Sequence, residues 1–157
     1  MSLNDINISQ IIISRPKKTD TTYVCPIYYE NDTRDKLSCV LDNLLLVAIK
    51  PLQQRNEFFI YVKNKKINNF IYDLSKHIVE FVKDKSSAWF NNNMNTELID
   101  DYFTNTLVYD KEKGDIIRLK IIGDESVLED YINKKIKLTL IFDNLRFYRQ
   151  KFVLESK

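Results

Sequence analysis

Along "EFFIYVKNKK", residues 57–66, apolar and polar positions alternate with period two. In a strand, Phe58, Ile60 and Val62 share one face, and Glu57, Phe59, Tyr61 and Lys63 share the other. The first set reads as a core face. The second is the side expected to meet water, yet it carries two aromatics and runs into Lys63, Lys65 and Lys66.

Similar patterns recur along the chain. Residues 1–20 read as an extended N-terminal arm, in which "IIIS" pairs as an edge strand before Pro16 stops it. "TTYVCPIYYE" (21–30) predicts a strand with Pro26 at an edge or bulge. "KLSCVL" (36–41) is a half-buried strand, "DN" (42–43) suits a tight turn, and "LLLVAIK" (44–50) predicts a more fully buried strand. From residue 67 the period changes. Ile67, Phe70, Ile71, Leu74, Ile78, Phe81 and Val82 recur at helical spacing, with Asn68 or Asn69 placed to cap the start and "SSAWFNNN" (86–93) to end it. A second helix is predicted over 96–104, with Leu98, Ile99, Tyr102 and Phe103 inward.

Strand periodicity then returns. "TLVYD" is followed by "KEKG", with Gly114 at a turn. In "DIIRLKII" (115–122), Ile117, Leu119 and Ile121 face in, and Arg118 and Lys120 face out. Ser126 and Glu129 fit a capping box opening a short helix. "KIKLTLIF" (135–142), "DN" (143–144) and "LRFYRQKFVLE" (145–155) predict a hairpin with a two-residue turn. Phe147 and Phe152 are out of phase in its second strand, which asks for a bulge there or for cover on both faces.

Strands, then helix, then strands, without a βαβ rhythm, predict an α+β fold of mainly antiparallel sheet. Two versions remain open: an OB-like barrel or a sandwich, each with an inserted helical segment at about residues 68–104. At 157 residues the chain reads as a single domain, 1–157, long enough to bury a core without disulfides or metal. Hydrophobic residues at 44% exclude a disordered chain. Two glycines cannot build a glycine-rich phosphate loop.

The net charge of +2 is too small for a protein that grips duplex DNA through phosphates alone. Its distribution is uneven, however. Basic residues cluster at 15–18, 63–66, 134–137 and 146–151, and acidic ones at 97–101 and 124–130. Segregated charge steers a polyanion even at a small total, although solvated faces also look like this. Cys25 and Cys39 sit in apolar runs and read as buried free thiols of a reducing compartment. No apolar run is long enough to cross a bilayer, and the N-terminus lacks a signal-peptide pattern. An intracellular, cytoplasmic protein without membrane contact is expected.

The residues offer no catalytic constellation, so a non-enzymatic protein without cofactor or metal is expected. His77 is the only histidine and lies at the edge of the helical stripe, where packing explains it. Asp100–Asp101 and Glu129–Asp130 read as wet faces and caps. What remains is binding. Single-stranded nucleic acid is held by aromatic platforms for the bases and by cations for the phosphates. Phe59, Tyr61, Lys63, Lys65 and Lys66 supply both kinds on one segment, Arg118 and Lys120 supply cations on a second, and Arg146, Tyr148, Arg149 and Lys151 supply both on a third. The competing packing reading covers Phe59 and Tyr61 with the long helix or the N-terminal arm. Trp89 and Phe90 read as a plug below the helix or as a stacking pair.

Taken together, "FIYDLSKHIVEFV", "SSAWF", "LIDDYFTNTLVY", "IRLKI" and "KLTLIFDNLRFYRQKFVL" resemble small proteins of nucleocytoplasmic large DNA viruses over roughly residues 20–155. That group includes OB-like single-stranded-DNA-binding proteins and virion-associated proteins. The resemblance implies a role in viral DNA replication or packaging, in host cytoplasm or virion, with single-stranded DNA or RNA, a protein partner or a homo-oligomer as partner. A virion structural or assembly protein is the alternative. The chain ends "VLESK", without the acidic tail by which phage-type single-strand binders recruit partners.

Overall fold

The alternating segments form strands. A computed structural model describes residues 3–19, 22–30, 36–53, 56–90, 103–104, 106–147 and 152–156. Its main elements are β1 (Ile11–Ile13), β2 (Lys17–Lys18), β3 (Tyr23–Tyr29), β4 (Leu37–Pro51), β5 (Glu57–Lys63), the helix α1 (Lys65–Phe90), β6 (Phe103–Thr104), β7 (Leu107–Asp110), β8 (Gly114–Ile122), a one-turn helix α2 (Ser126–Glu129), β9 (Lys135–Phe147) and β10 (Phe152–Ser156). Among the described residues the sheet is open and runs β1-β3-β9-β4-β5-β8-β7. Every pairing on that path is antiparallel; the parallel one is β6 with β10, off the path. The fold is thus α+β and mainly antiparallel. No helix among the described residues is long and apolar enough to cross a membrane.

Both Asp-Asn pairs, expected as turns, lie inside continuous strands. Asp42 and Asn43 interrupt β4 only as a bulge: Leu41 pairs with Leu138 and Leu44 with Ile136, so one residue is extra. Asn43 takes the left-handed φ of 56°, and the Asp42 carboxylate accepts from its N–H at 2.9 Å. A two-residue hairpin turn wants positive φ at both centres, and Asp42 lacks it. The bulge lets Leu41 and Leu44, three apart, both point into the core. Asp143 and Asn144 likewise lie within β9, between the buried Phe142 and Leu145. The true partner strand of β9 is β10, whose Phe152 lies directly across from Phe147 with rings 5.0 Å apart and stacked. The two phenylalanines therefore share a face because they belong to two strands, not one. Pro26 marks a handover: β3 pairs with β9 through Pro26 and with β1 from Ile27 onward.

The helix was expected to stop near Ser86, but it continues to Phe90. Its start is set by Asn64, whose side-chain oxygen accepts from the N–H groups of Lys66 and Ile67 at 3.0 and 3.2 Å; Asn68 instead donates to the carbonyl of Asp115. Residues 96–102 of the predicted second helix lie outside the described residues, and Phe103–Thr104 is strand. At α2 the capping oxygen belongs to Asp124, which accepts from both the N–H and the hydroxyl of Ser126, so the Ser126/Glu129 capping box does not form.

The stripe Ile67, Phe70, Ile71, Leu74, Ile78 and Val82 joins Phe58, Ile60, Val62, Ile117 and Leu119 in one apolar cluster. The helix therefore covers the face of the sheet to which those strand residues point. Near β10, Phe152 is wedged between Phe147 and Phe103, the latter 5.1 Å away. Phe152→Ala removes a buried ring from both contacts and is expected to cost about 3–5 kcal/mol of unfolding free energy, read from denaturant melts.

Candidate nucleic-acid interface

Strand geometry decides where the aromatics go. Phe58, Ile60 and Val62 point to α1, so Phe59 and Tyr61 point to the opposite face, away from α1, where both are half-buried. Cross-strand register builds a small grid around them. Phe59 lies between Lys50 of β4 and Lys120 of β8, and Tyr61 lies between Ala48 and Arg118. Neighbouring strands are about 5 Å apart, so each ring has its flanking side chains within contact range.

Lys50 was not among the residues singled out from the sequence. A second bulge in β4 brings it into place: Leu46 pairs with Val62 and Ala48 with Tyr61, so Val47 is extra and the facing of later residues inverts. Simple alternation from Leu44 and Leu46 would have put Lys50 inward. Counting back across the β4–β5 connection, from Phe58 opposite Pro51, would have found it.

The cations of the grid have partners of their own. The Arg118 guanidinium lies 5.0 Å over the Phe59 ring, a cation–π contact worth about 0.5–1 kcal/mol at an exposed site. Lys120 reaches Glu57 at 3.3 Å, and Lys63 donates to the carbonyl of Lys113 at 2.6 Å. Glu57 is the carboxylate of this patch and competes with any anion for Lys120. Tyr61, flanked by the small Ala48, carries no ring or cation contact among the described residues.

Past Lys63 the strand runs into the N-terminus of α1, where Lys65 and Lys66 are exposed and the first turn holds no acidic residue. Cations there oppose the helix dipole, at a cost of about 0.3–1 kcal/mol each at low salt. An anion bound nearby would offset that cost.

Arg146 does not join the grid. It sits on β9, separated from β5 by β4, and its guanidinium is committed to Glu155 (Nε to Oε1, 2.5 Å) and to the Thr22 hydroxyl (2.9 Å). Tyr148, Arg149 and Lys151 lie outside the described residues, as do the side chains of Trp89 and Phe90.

Other chemistry is sparse. No group of three or more His, Cys, Asp or Glu that could hold a metal occurs among the described residues. His77 is half-buried with its ring 6.4 Å from Phe81, a packing position. Cys25 and Cys39 are free and buried, and desolvation pushes their thiols up to about 12 and about 11. Such thiols stay protonated at neutral pH and are poor nucleophiles. No family model, curated protein or solved structure matches the chain.

The buried thiols yield a direct expectation. In native protein, a disulfide reagent should label Cys25 and Cys39 no faster than the core opens, and in denaturant it should label both at once. Rapid labelling of the native protein near neutral pH would show that the two thiols are not buried in the core.

Proposed function

We propose that the chain is a non-enzymatic single-stranded nucleic-acid-binding protein that uses the face of β4, β5 and β8 turned away from α1. The observation that carries this reading is the convergence of Phe59, Tyr61, Lys50, Arg118 and Lys120 from three strands on one face, away from α1. Bases stack on the rings. Phosphates are held by Lys50 and Lys120, and by Lys63, Lys65 and Lys66 where the face meets the helix N-terminus. Stacking contributes about 1–3 kcal/mol per base, so a few platforms with modest charge suffice for binding.

The wider setting belongs to the same proposal: viral DNA replication, in host cytoplasm or virion. An OB-like arrangement is supported by the place of α1, which follows the third of the five long strands β3, β4, β5, β8 and β9. The second reading, a virion structural or assembly protein, is favoured by a separate feature: Ile122, Val127, Tyr131 and Ile132 are exposed close together in sequence.

The test is titration with a fluorescent oligo-dT at several salt concentrations. Affinity should fall as salt rises but retain a stacking component. Tyr61→Ala and Phe59→Ala should each weaken binding by about 1–3 kcal/mol with little change in melting temperature. Lys50→Gln should reduce the slope of log affinity against log salt by about 1. Absence of salt-sensitive binding by the wild-type protein would end this reading and leave the assembly role.

A further inference from the structure

The connection from β8 to β9, residues 123–134, forms a knob held by backbone hydrogen bonds and not by its exposed apolar side chains. It is tied down at both ends: the Gly123 N–H donates to the Asn56 carbonyl at 2.7 Å, and Asn133 and Lys134 bond the backbone of Leu46 at 2.7 and 3.0 Å. Leu128 anchors its middle by packing on the core. On this fixed frame Val127, Tyr131 and Ile132 are 66%, 48% and 37% exposed, and the adjoining Ile122 is 73% exposed. These are four of the seven large hydrophobic side chains that stand exposed among the described residues, so the clustering is local. A pre-ordered apolar surface docks with little entropic cost. Four carboxylates, Asp124, Glu125, Glu129 and Asp130, lie among the apolar positions, against one cation within the knob, Lys134, whose ammonium lies 5.9 Å over the Tyr131 ring.

The face turned away from α1 has the complementary character, with aromatic rings among Lys50, Arg118 and Lys120. The two surfaces adjoin. Ile122, where the knob begins, pairs with Glu57, two residues from both Lys120 and Phe59 on their strands. An acidic apolar half bordering a basic aromatic half is self-complementary under a two-fold rotation, the commonest oligomer symmetry.

We infer that two copies of the chain form a reciprocal dimer, the knob of each seated on the Phe59–Tyr61 face of the other. The apolar side chains of the knob meet the rings, and its carboxylates meet the lysines. This dimer needs the geometry of the face and does not depend on nucleic-acid binding.

The test is sedimentation velocity over a range of protein concentration, at low and high salt, with a charge swap. The wild type should show a monomer–dimer equilibrium that weakens with salt. Reversing the knob (Glu129→Lys with Asp130→Lys) should weaken the dimer at least about tenfold, and reversing the face (Lys50→Glu with Lys120→Glu) should do the same. An equimolar mixture of the two variants should recover a heterodimer, because both contacts are again of opposite charge. Thermal melts check that each variant folds, and Lys50→Glu alone serves as the face variant if the double change does not. A wild type that stays monomeric at low salt, one that grows beyond a dimer, reversals without effect, or a mixture that remains monomeric would each overturn the inference. Failure of oligonucleotide binding would leave it untouched.

Discussion

One amphipathic helix can cover only one face of a sheet, and this constraint organises the molecule. The stripe from Ile67 to Val82 removes Phe58, Ile60, Val62, Ile117 and Leu119 from water. At roughly 1.5–3 kcal/mol for each large apolar side chain buried, that packing is the principal stabilising contact between helix and sheet. Period two in the strands then requires Phe59, Tyr61, Arg118 and Lys120 to lie on the other side. The helix thus fixes which residues can be functional without touching them. The outer aromatics are half-buried, and among the described residues the Arg118 guanidinium lies over Phe59.

Three cations of that face have partners at rest, although only one of those partners is a carboxylate. Arg118 rests on Phe59, Lys120 on Glu57, and Lys63 on a backbone carbonyl. Such contacts are individually weak at the surface, about 0–1 kcal/mol, so a phosphate can compete with them. They also hold long side chains near useful positions, which lowers the entropy lost on binding. The same face can meet a polyanion or the acidic knob of another copy. Both proposed roles of the molecule, binding and assembly, therefore converge on a single surface.

Much of this was legible in the residues. The change from period two to the helical period at residue 67 located α1, and alternation put Phe59 with Tyr61 on one strand face and Arg118 with Lys120 on another, while leaving open which face the helix covers. Turn chemistry misled. Asp42-Asn43 and Asp143-Asn144 look like hairpin turns but serve as slips that keep Leu41 with Leu44, and Phe142 with Leu145, facing inward. Local propensity could not distinguish the two uses, because pairing with β9, β3 and β10 decides between them. The helix end was misjudged for a related reason: serine penalises a helix by only a few tenths of a kcal/mol, too little to stop one that tertiary packing supports. Lys50 was hidden by the Val47 bulge. Arg146 looked available because its partners lie elsewhere in the chain, Thr22 just before β3 and Glu155 on β10.

The proposed binding uses the face turned away from α1. Backbone and aromatic NMR shifts, followed while short oligo-dT is added, test it most directly. Perturbations should concentrate on Lys50, Phe59, Tyr61, Arg118 and Lys120, while the outward side of α1 around Tyr72 and Lys76 stays still. Shifts centred on the helix, or scattered evenly over lysines across the surface, would contradict it.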